Sequence, residues 1–232
     1  MTKTVLITGG NTGLGFESAR RLKAAGFEVY ITSRSEEKGA KAAAQLAVHY
    51  LVMDVTDEKS VELAAEQFGK KAANLDVLIN NAGIPGEMRA IKEVDAALME
   101  RVFNTNVFGI VRTTQAFLPY LEKAATPIIV NVSSGVGSFS KQTDPKTLES
   151  KVISPAYAAS KAAVSMLTLQ YAKALPNMRV NAVDPGPTNT GGNFNRGAQN
   201  PSEGTDAIFK MATLSKDGPT GTFVDRNGIL GW

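Results

Sequence analysis

Tyr157 and Lys161 lie four residues apart in the stretch PAYAASKAAVSMLTLQYA, whose residue pattern predicts a helix. At this spacing both side chains project from one face, so an ammonium group would lie beside a phenol. A free tyrosine has a pKa near ~10, and a nearby positive charge stabilises the phenolate and lowers that value. The pair therefore predicts a proton donor for a reduction, which acts as a base in the reverse oxidation.

A glycine-rich stretch near the N-terminus has the composition of a turn that binds phosphate. It contains Gly9, Gly13 and Gly15 and lies between a predicted strand and a predicted helix. Glycine lets the chain turn sharply and lets backbone amides approach a pyrophosphate, whose charge is favoured by the following helix N-terminus. A tight turn without a ligand is the alternative, so the stretch is weak evidence when taken alone.

The end of the second predicted strand indicates which nicotinamide cofactor the chain uses. An acid at this place binds the ribose hydroxyls of NAD and would repel the 2′-phosphate of NADP. Here the strand ends in Thr32, Ser33 and Arg34, and the next acid is Glu36. Arg34 can pair with a phosphate through charge-assisted hydrogen bonds, a solvated surface arginine being the alternative. We predict NADP(H) as the preferred cofactor, with NAD(H) possible.

Three motifs in this order resemble those of the short-chain dehydrogenase/reductase family. They are the G-x-x-x-G-x-G spacing from Gly9 to Gly15, the run Asn80-Asn81-Ala82-Gly83 after a later strand, and Tyr157-x-x-x-Lys161. The resemblance runs from Lys3 to about Thr190. It implies a Rossmann fold with strand order 3-2-1-4-5-6-7 and helices on both faces. Shorter pieces, residues 217–223 among them, are similar to the carbonyl-reductase branch.

The resemblance also implies roles for side chains around the tyrosine and lysine. Ser134 matches the family serine that hydrogen-bonds the substrate oxygen and steadies developing alkoxide charge, with Ser133 as the competing assignment. Asn106 matches the asparagine that ties Lys161 into a water-linked proton relay, and Asn104 fits that motif less well. Lys161 would also hydrogen-bond the nicotinamide ribose.

Further positions match the cofactor contacts of the family. Asp54 and Val55 resemble the adenine contacts, residues 81–83 the adenine-ribose and sheet-stabilising motif, and residues 185–190 the segment that grips the nicotinamide carboxamide. Thr12 stands where many NADP-dependent relatives carry a base, which leaves the degree of selectivity open. The predicted cofactor residues are Gly9, Asn11, Thr12, Gly13, Leu14, Gly15, Arg34, Asp54, Val55, Asn81, Ala82, Gly83, Tyr157, Lys161, Pro185, Gly186, Thr188 and Thr190.

Short β-rich runs alternate with helical stretches along the chain, which predicts repeated βαβ units and a parallel sheet. Runs such as VLITG, VLIN and IIVNV are typical of strands buried on both faces. Strands are predicted at residues 4–8, 28–32, 50–53, 77–80, 128–133, 179–183 and 221–224, and the first helix at residues 15–25. We therefore expect an α/β fold with a doubly wound parallel sheet, in which residues 1–232 form a single dinucleotide-binding and catalytic domain.

Two long segments, residues 135–155 and 187–203, are rich in Ser, Thr, Asn, Gly and Pro and predict irregular structure. Both follow strands on the side of the sheet where ligands bind. The first is longer than the family commonly shows. We predict that residues 141–151 and 189–204 form the rim of the substrate pocket, solvated surface loops being the alternative. Residues 187–214 would form a substrate-side loop and helix.

The composition excludes several other kinds of site. The chain has no cysteine and one histidine, His49, in a predicted strand, so thiolate nucleophiles and Cys- or His-rich metal sites are excluded. The formal net charge is +3, but Lys and Arg are spread among acids, so no nucleic-acid partner is expected. No apolar run could span a bilayer, and MTKTVLITGG enters a strand directly, so we expect a cytoplasmic protein without a membrane partner.

The predicted function is NADP(H)-dependent reduction of a carbonyl to an alcohol, or the reverse, at a Ser-Tyr-Lys-Asn site. One alternative is a cofactor-sensing binding protein without turnover, against which the intact candidate residues argue. Another is a nucleotide-sugar epimerase or dehydratase, whose relatives carry a different glycine spacing and a larger C-terminal domain than residues 189–232 provide. No G-x-S-x-G elbow surrounds Ser133 or Ser134, which disfavours acyl transfer. The substrate is an unidentified small molecule, and the resemblance implies a homo-oligomer, a dimer or tetramer.

Overall fold

Within the described part of the chain, seven strands form one parallel sheet. The computed structural model describes residues 2–87, 90–190 and 197–232. The strands are β1 (Thr4–Ile7), β2 (Glu28–Ser33), β3 (His49–Val52), β4 (Val77–Asn80), β5 (Ile128–Val132), β6 (Arg179–Val183) and β7 (Phe223–Val224). Their order is β3-β2-β1-β4-β5-β6-β7, and each neighbouring pair is parallel. The predicted Rossmann fold and strand order are confirmed.

The central strands are apolar along their whole length because both of their faces are covered. In β1, Val5, Leu6 and Ile7 are each 0% exposed. Val5 and Ile7 pack in one hydrophobic layer and Leu6 in the layer on the opposite side of the sheet. A strand with no face toward solvent does not need to alternate apolar and polar residues. This is why VLI in β1 and the similar runs in β4 and β5 are continuously apolar in the sequence.

Helices cover both faces of the sheet. The helices in the described ranges are α1 (Gly13–Ala24), α2 (Glu36–Leu46), α3 (Glu58–Gly69), α4 (Ala96–Phe103), α5 (Gly109–Leu121), α6 (Phe139–Thr143), α7 (Pro155–Ala174), α8 (Pro201–Gly204) and α9 (Asp206–Ala212). Leu22 of α1 and Ile208 of α9 belong to one hydrophobic layer. Phe68 of α3 and Phe117 of α5 belong to the other, and their rings meet edge to face. The result is a doubly wound arrangement around a single sheet.

The prediction of irregular structure for residues 135–155 is wrong in part. Short 3₁₀ turns at Gly135–Gly137 and Glu149–Lys151 flank α6 in this segment. The side chain of Ser138, which is 0% exposed, caps α6 by accepting the backbone N–H of Lys141 at 3.1 Å. This buried cap is the physical reason for order in a stretch whose composition suggests a loop.

The second predicted irregular segment, residues 187–203, is described only in part, since residues 191–196 lie outside the described ranges. Its end is helical, because Asn200 and Glu203 form a capping box at the start of α8. His49 lies in β3 as predicted, with its ring stacked on Tyr30 at a centroid distance of 4.6 Å. No helix within the described ranges is long and apolar enough to cross a membrane.

Candidate active site

Two adjoining cavities open where the strands of the sheet end. One has a volume of about 490 Å³ and the other about 480 Å³. Leu14, Asn81, Gly83, Ile84 and Thr190 line both of them, so the cavities join into one elongated cleft. In open parallel sheets, ligands bind in the crevice beyond the carboxyl ends of the strands. The cleft therefore lies where a dinucleotide and a second small molecule could meet.

Tyr157 and Lys161 lie one turn apart on α7, and both line the first cavity. The Lys161 Nζ atom is 5.5 Å from the centre of the Tyr157 ring and donates a hydrogen bond to the Val132 carbonyl at 2.7 Å. Ser134 lines the same cavity, and its hydroxyl acts on the Tyr157 phenol to lower its pKa. The cavity thus brings together the tyrosine, lysine and serine that were predicted from spacing and resemblance.

Desolvation in the cavity wall raises the pKa of Tyr157 to about 12, against the opposite effect of the Ser134 hydroxyl. This differs from the expectation that the lysine lowers the phenol pKa. Burial also lowers the pKa of Lys161 to about 8, although the Asp184 carboxylate favours its charged form. Because Lys161 loses its proton near pH 8, it is neutral in the range where the Tyr157 phenol ionises and does not stabilise the phenolate there. At neutral pH the phenol keeps its proton, the form required of a donor.

The structure distinguishes between the two candidate serines. Ser133 is 2% exposed, and its hydroxyl is occupied by the Lys161 carbonyl and the Ser165 hydroxyl, each at 3.0 Å. Ser134 is partly exposed in the cavity and lies beside Tyr157. Ser134 is therefore the serine whose hydroxyl can contact a ligand.

Asn106 lies in a π-helical turn between α4 and α5 and is 1% exposed. Its Oδ1 atom accepts the Ile84 N–H at 2.8 Å, and its Nδ2 atom donates to the Ile84 carbonyl at 3.0 Å. A Cβ atom placed on Gly83 would lie 3.3 Å from the Asn106 Oδ1 and 3.6 Å from the Lys161 Nζ. Asn106 and Lys161 therefore flank Gly83, whereas the Asn104 backbone carbonyl accepts a hydrogen bond from Arg112 at 3.4 Å. The π-turn has the local geometry often found at functional sites.

The glycine-rich turn is held against the end of β4 by a small hydrogen-bond network. Gly9 and Gly13 have φ angles of 63° and 57°, which only glycine adopts without strain. The Asn81 side chain donates to the Thr8 carbonyl at 2.8 Å and to the Gly9 carbonyl at 3.3 Å. The Thr8 hydroxyl in turn accepts the backbone N–H groups of Asn81 and Ala82, each at 2.9 Å. Thr8 therefore fixes the turn, a role that its position in the motif did not reveal.

Most predicted cofactor residues surround this turn. The second cavity is lined by Gly9, Asn11, Thr12, Gly13, Leu14, Arg34, Asp54, Val55, Asn81, Ala82, Gly83 and Thr190. Gly15 does not line either cavity and packs behind the turn, where a Cβ atom would lie 2.5 Å from the Gly9 carbonyl oxygen. The Asp54 carboxylate accepts the Thr56 N–H and hydroxyl at 2.9 and 2.7 Å, so it shapes the loop after β3.

The remaining predicted residues line the first cavity, which holds Tyr157, Lys161, Pro185, Gly186, Thr188 and Thr190. Within residues 141–151, Leu148 and Glu149 line it. Of the second predicted rim segment, residues 189–204, the part at residues 191–196 lies outside the described ranges.

Sequence reasoning missed two charged residues that line the cleft. Lys38 lines the second cavity four residues after Arg34, a spacing that the sequence already contained. Asp184 lines the first cavity and is 5% exposed. An acid directly after a buried strand was the available signal for Asp184. Among the described residues, no group of three or more His, Cys, Asp or Glu side chains could hold a metal ion.

The fold and cleft define a Rossmann-type oxidoreductase, and residues 3–201 match the short chain dehydrogenase family model. (+)-Neomenthol dehydrogenase of Capsicum annuum is 29% identical over 98% of this chain and 97% of that protein. (-)-Isopiperitenone reductase of Mentha piperita is 30% identical over 97% of this chain and 96% of that protein. The NADPH-bound carbonyl reductase from chicken fatty liver superposes with a TM-score of 0.86 at 28% identity, over 100% of this chain and 99% of that chain. The chain belongs to the short-chain dehydrogenase/reductase family.

Proposed function

We infer that this protein is an NADP(H)-dependent oxidoreductase that reduces a carbonyl to an alcohol, or catalyses the reverse reaction. The observation that carries the inference is the meeting of Tyr157, Ser134 and Lys161 in a cavity that adjoins the glycine-rich turn. Its similarity to a carbonyl reductase that binds NADPH supports the same reaction.

We assign to the candidate catalytic residues the roles that the family resemblance implies. Tyr157 keeps its proton at neutral pH and donates it to the oxygen of the reduced carbonyl. Ser134 hydrogen-bonds that oxygen and steadies its developing charge. Lys161 binds the nicotinamide ribose, and Asn106 links Lys161 to solvent through water. The cofactor, when bound, supplies the hydride.

The preference for NADP(H) rests on charge around the second cavity. Arg34 and Lys38 both line it beyond β2, together with Ser33 and Ser35. Two cations suit a 2′-phosphate, since charge-assisted hydrogen bonds to such a group are among the stronger contacts in proteins. The other cofactor contacts are those that line the cleft, with Asp54 and Val55 toward adenine and residues 185–190 toward nicotinamide.

The substrate is inferred to be an apolar small molecule with one reactive oxygen. Ile84, Val136, Leu148 and Val152 line the first cavity close to Ser134. Relatives named for the menthol and isopiperitenone skeletons favour a compact apolar ketone or alcohol. Residues 187–214 are proposed as the substrate-side loop and helix of the single domain, residues 1–232.

Substitution of the tyrosine tests this function. Purified protein is screened for NADPH consumption with apolar aldehydes, ketones, quinones and oxoacyl thioesters, and Tyr157→Phe is assayed on the best substrate. We expect a loss of roughly 10²- to 10⁴-fold in turnover with the fold and NADPH affinity preserved, because only the proton-donating hydroxyl is removed. Near-normal activity of the variant would refute the mechanism. NADPH binding without turnover of any carbonyl would favour the cofactor-sensing alternative.

Two further predictions concern the whole protein. A homo-oligomer, dimer or tetramer, is expected from the family and is measured by light scattering on the purified protein. A cytoplasmic location is expected and is measured by fractionation of cells.

A further inference from the structure

Lys141 connects the segment formed by residues 141–151 to the floor of the first cavity. Its Nζ atom lies 2.8 Å from the Glu149 Oε1 and 3.6 Å from the Asp184 Oδ2. Glu149 belongs to the same segment, whereas Asp184 directly follows β6. The Lys141 and Glu149 side chains are each 21% exposed and that of Asp184 is 5% exposed. These ion pairs are therefore screened less by solvent than pairs on an open surface.

The two carboxylates converge on one glycine. A Cβ atom placed on Gly135 would lie 2.6 Å from the Glu149 Oε1 and 2.7 Å from the Asp184 Oδ2. Two carboxylates that approach the same point repel each other unless a cation lies between them. Lys141 is that cation, so the approach of Glu149 to the cavity depends on it.

Asp184 acts directly on the candidate catalytic pair. Its negative charge raises the pKa of Tyr157, whose largest perturbation is desolvation, and it also favours the charged form of Lys161. An unscreened carboxylate here would oppose phenolate formation and hold the proton on the lysine. A positive charge next to Asp184 therefore changes the protonation equilibria of Tyr157 and Lys161.

Lys141 remains charged over the working pH range. Burial opposes its charge, but the hydrogen bond to Glu149 and the carboxylates of Asp184, Glu149 and Asp225 outweigh burial, so its pKa is raised. The pKa of Glu149 is lowered, because its contacts with Lys141 outweigh its own burial. The charged groups that act on Lys141 thus come from its own segment and from the ends of β6 and β7.

The backbone of Lys141 is also held in place. Ser138 accepts the Lys141 N–H at 3.1 Å and has its own hydroxyl 2.7 Å from the Gly231 carbonyl oxygen. The ammonium group is therefore presented from a fixed position at the start of the segment.

We propose that Lys141 is a positioning residue, which ties residues 141–151 to Asp184 and offsets the negative charge that Asp184 places beside Tyr157 and Lys161. This inference rests on the proposed function for its catalytic consequence, but its structural part does not.

The structural part is tested by trypsin, which cleaves after lysine. Lys146 and Lys151 are exposed and remain as cleavage sites when Lys141 is replaced. We expect Lys141→Met to be cut after these two residues several-fold faster than the wild type, because the segment is released from Asp184. Lys141→Arg should retain wild-type protection. Equal cleavage rates in Lys141→Met and the wild type would refute the proposal that Lys141 ties residues 141–151 to Asp184.

The electrostatic part is tested by the pH dependence of carbonyl reduction. We expect the rate to fall above about pH 8, where Lys161 loses its proton, and this fall is the basic limb of the profile. We expect Lys141→Met to move this limb upward by roughly half a pH unit or more, because Asp184 is no longer offset. Asp184→Asn should move it downward, and the double variant should fall between them. Lys146→Met, an exposed lysine of the same segment, is the control and should not move it.

The outcomes separate this inference from the proposed function. If the rate falls at the same pH in Lys141→Met as in Lys146→Met, the electrostatic role of Lys141 is refuted. The proposed function still stands in that case, provided that Tyr157→Phe loses turnover. If the protein reduces no carbonyl, the proposed function fails, and the trypsin comparison still decides whether Lys141 holds the segment.

Discussion

At the scale of single residues, neighbouring positions differ in what they can do because their surroundings differ. Ser133 and Ser134 are adjacent in the chain, yet one hydroxyl is buried against α7 and the other lies in the cavity. Burial also has the largest effect on Tyr157 and Lys161: it raises the pKa of the tyrosine and lowers the pKa of the lysine. Desolvation disfavours the charged form in both cases, and that form is the phenolate for one and the ammonium for the other.

The lowered pKa of Lys161 predicts how reduction depends on pH. An ordinary lysine keeps its proton until about pH 10.4, whereas Lys161 loses its proton as the pH rises through about 8. We expect kcat/KM for reduction to be constant at lower pH and to fall above about pH 8, since the proposed contact of the Lys161 ammonium with the cofactor ribose would be lost. Lys161→Arg, which stays charged, should have less activity but no such limb. A wild-type rate that stays constant to pH 10 would contradict the assignment.

Arg34 should discriminate between the two nicotinamide cofactors. A charge-assisted contact is worth roughly 1.5–3 kcal/mol, so Arg34→Ala should weaken NADPH binding by about 10- to 150-fold and leave NADH binding nearly unchanged. Fluorescence titration of both cofactors measures this. Lys41→Ala, an exposed lysine of α2, is the control and should bind both as the wild type does. Equal wild-type affinities for NADPH and NADH would refute the preference.

At the scale of elements, α7 and the loops after β5 and β6 together build the first cavity. α7 supplies Tyr157 and Lys161, the loop after β5 supplies Ser134, and the segment after β6 supplies Asp184. Three separate parts of the chain meet there because parallel strands end at the same edge of the sheet. The segment of residues 141–151 closes one side and carries the exposed Leu148.

Replacing residues 141–151 with a short glycine-serine linker should change substrate recognition. Because Leu148 and Glu149 line only the first cavity, we expect altered Michaelis constants or substrate range, with NADPH affinity nearly unchanged. Steady-state kinetics over several ketones, with NADPH titration as the internal control, measures this. Unaltered kinetics in a folded variant would show that the segment takes no part in recognition.

At the scale of the whole molecule, the two cavities join across the carboxyl edge of one sheet, so a dinucleotide in the cleft would contact elements from β1 to β6. A ligand that binds only the folded state stabilises it by about 2.7 kcal/mol at a hundred times its Kd. For a chain of this size, NADPH at that concentration should raise Tm by roughly 5–10 °C. NADH at the same concentration should raise it less. Thermal unfolding with each cofactor measures the shifts, and no shift with NADPH would contradict cofactor binding in the cleft.

The sequence by itself determined the features that depend on neighbours along the chain. The strands, their parallel arrangement, the glycine turn and the Tyr157–Lys161 pair follow from short periodicities and fixed spacings, and the strand order followed from the family resemblance. Only the tertiary structure decided between Ser133 and Ser134, revealed Asp184 and Lys38 in the cleft, and set the direction of the Tyr157 pKa. Burial and contacts between distant parts of the chain control these properties, and no local pattern records them.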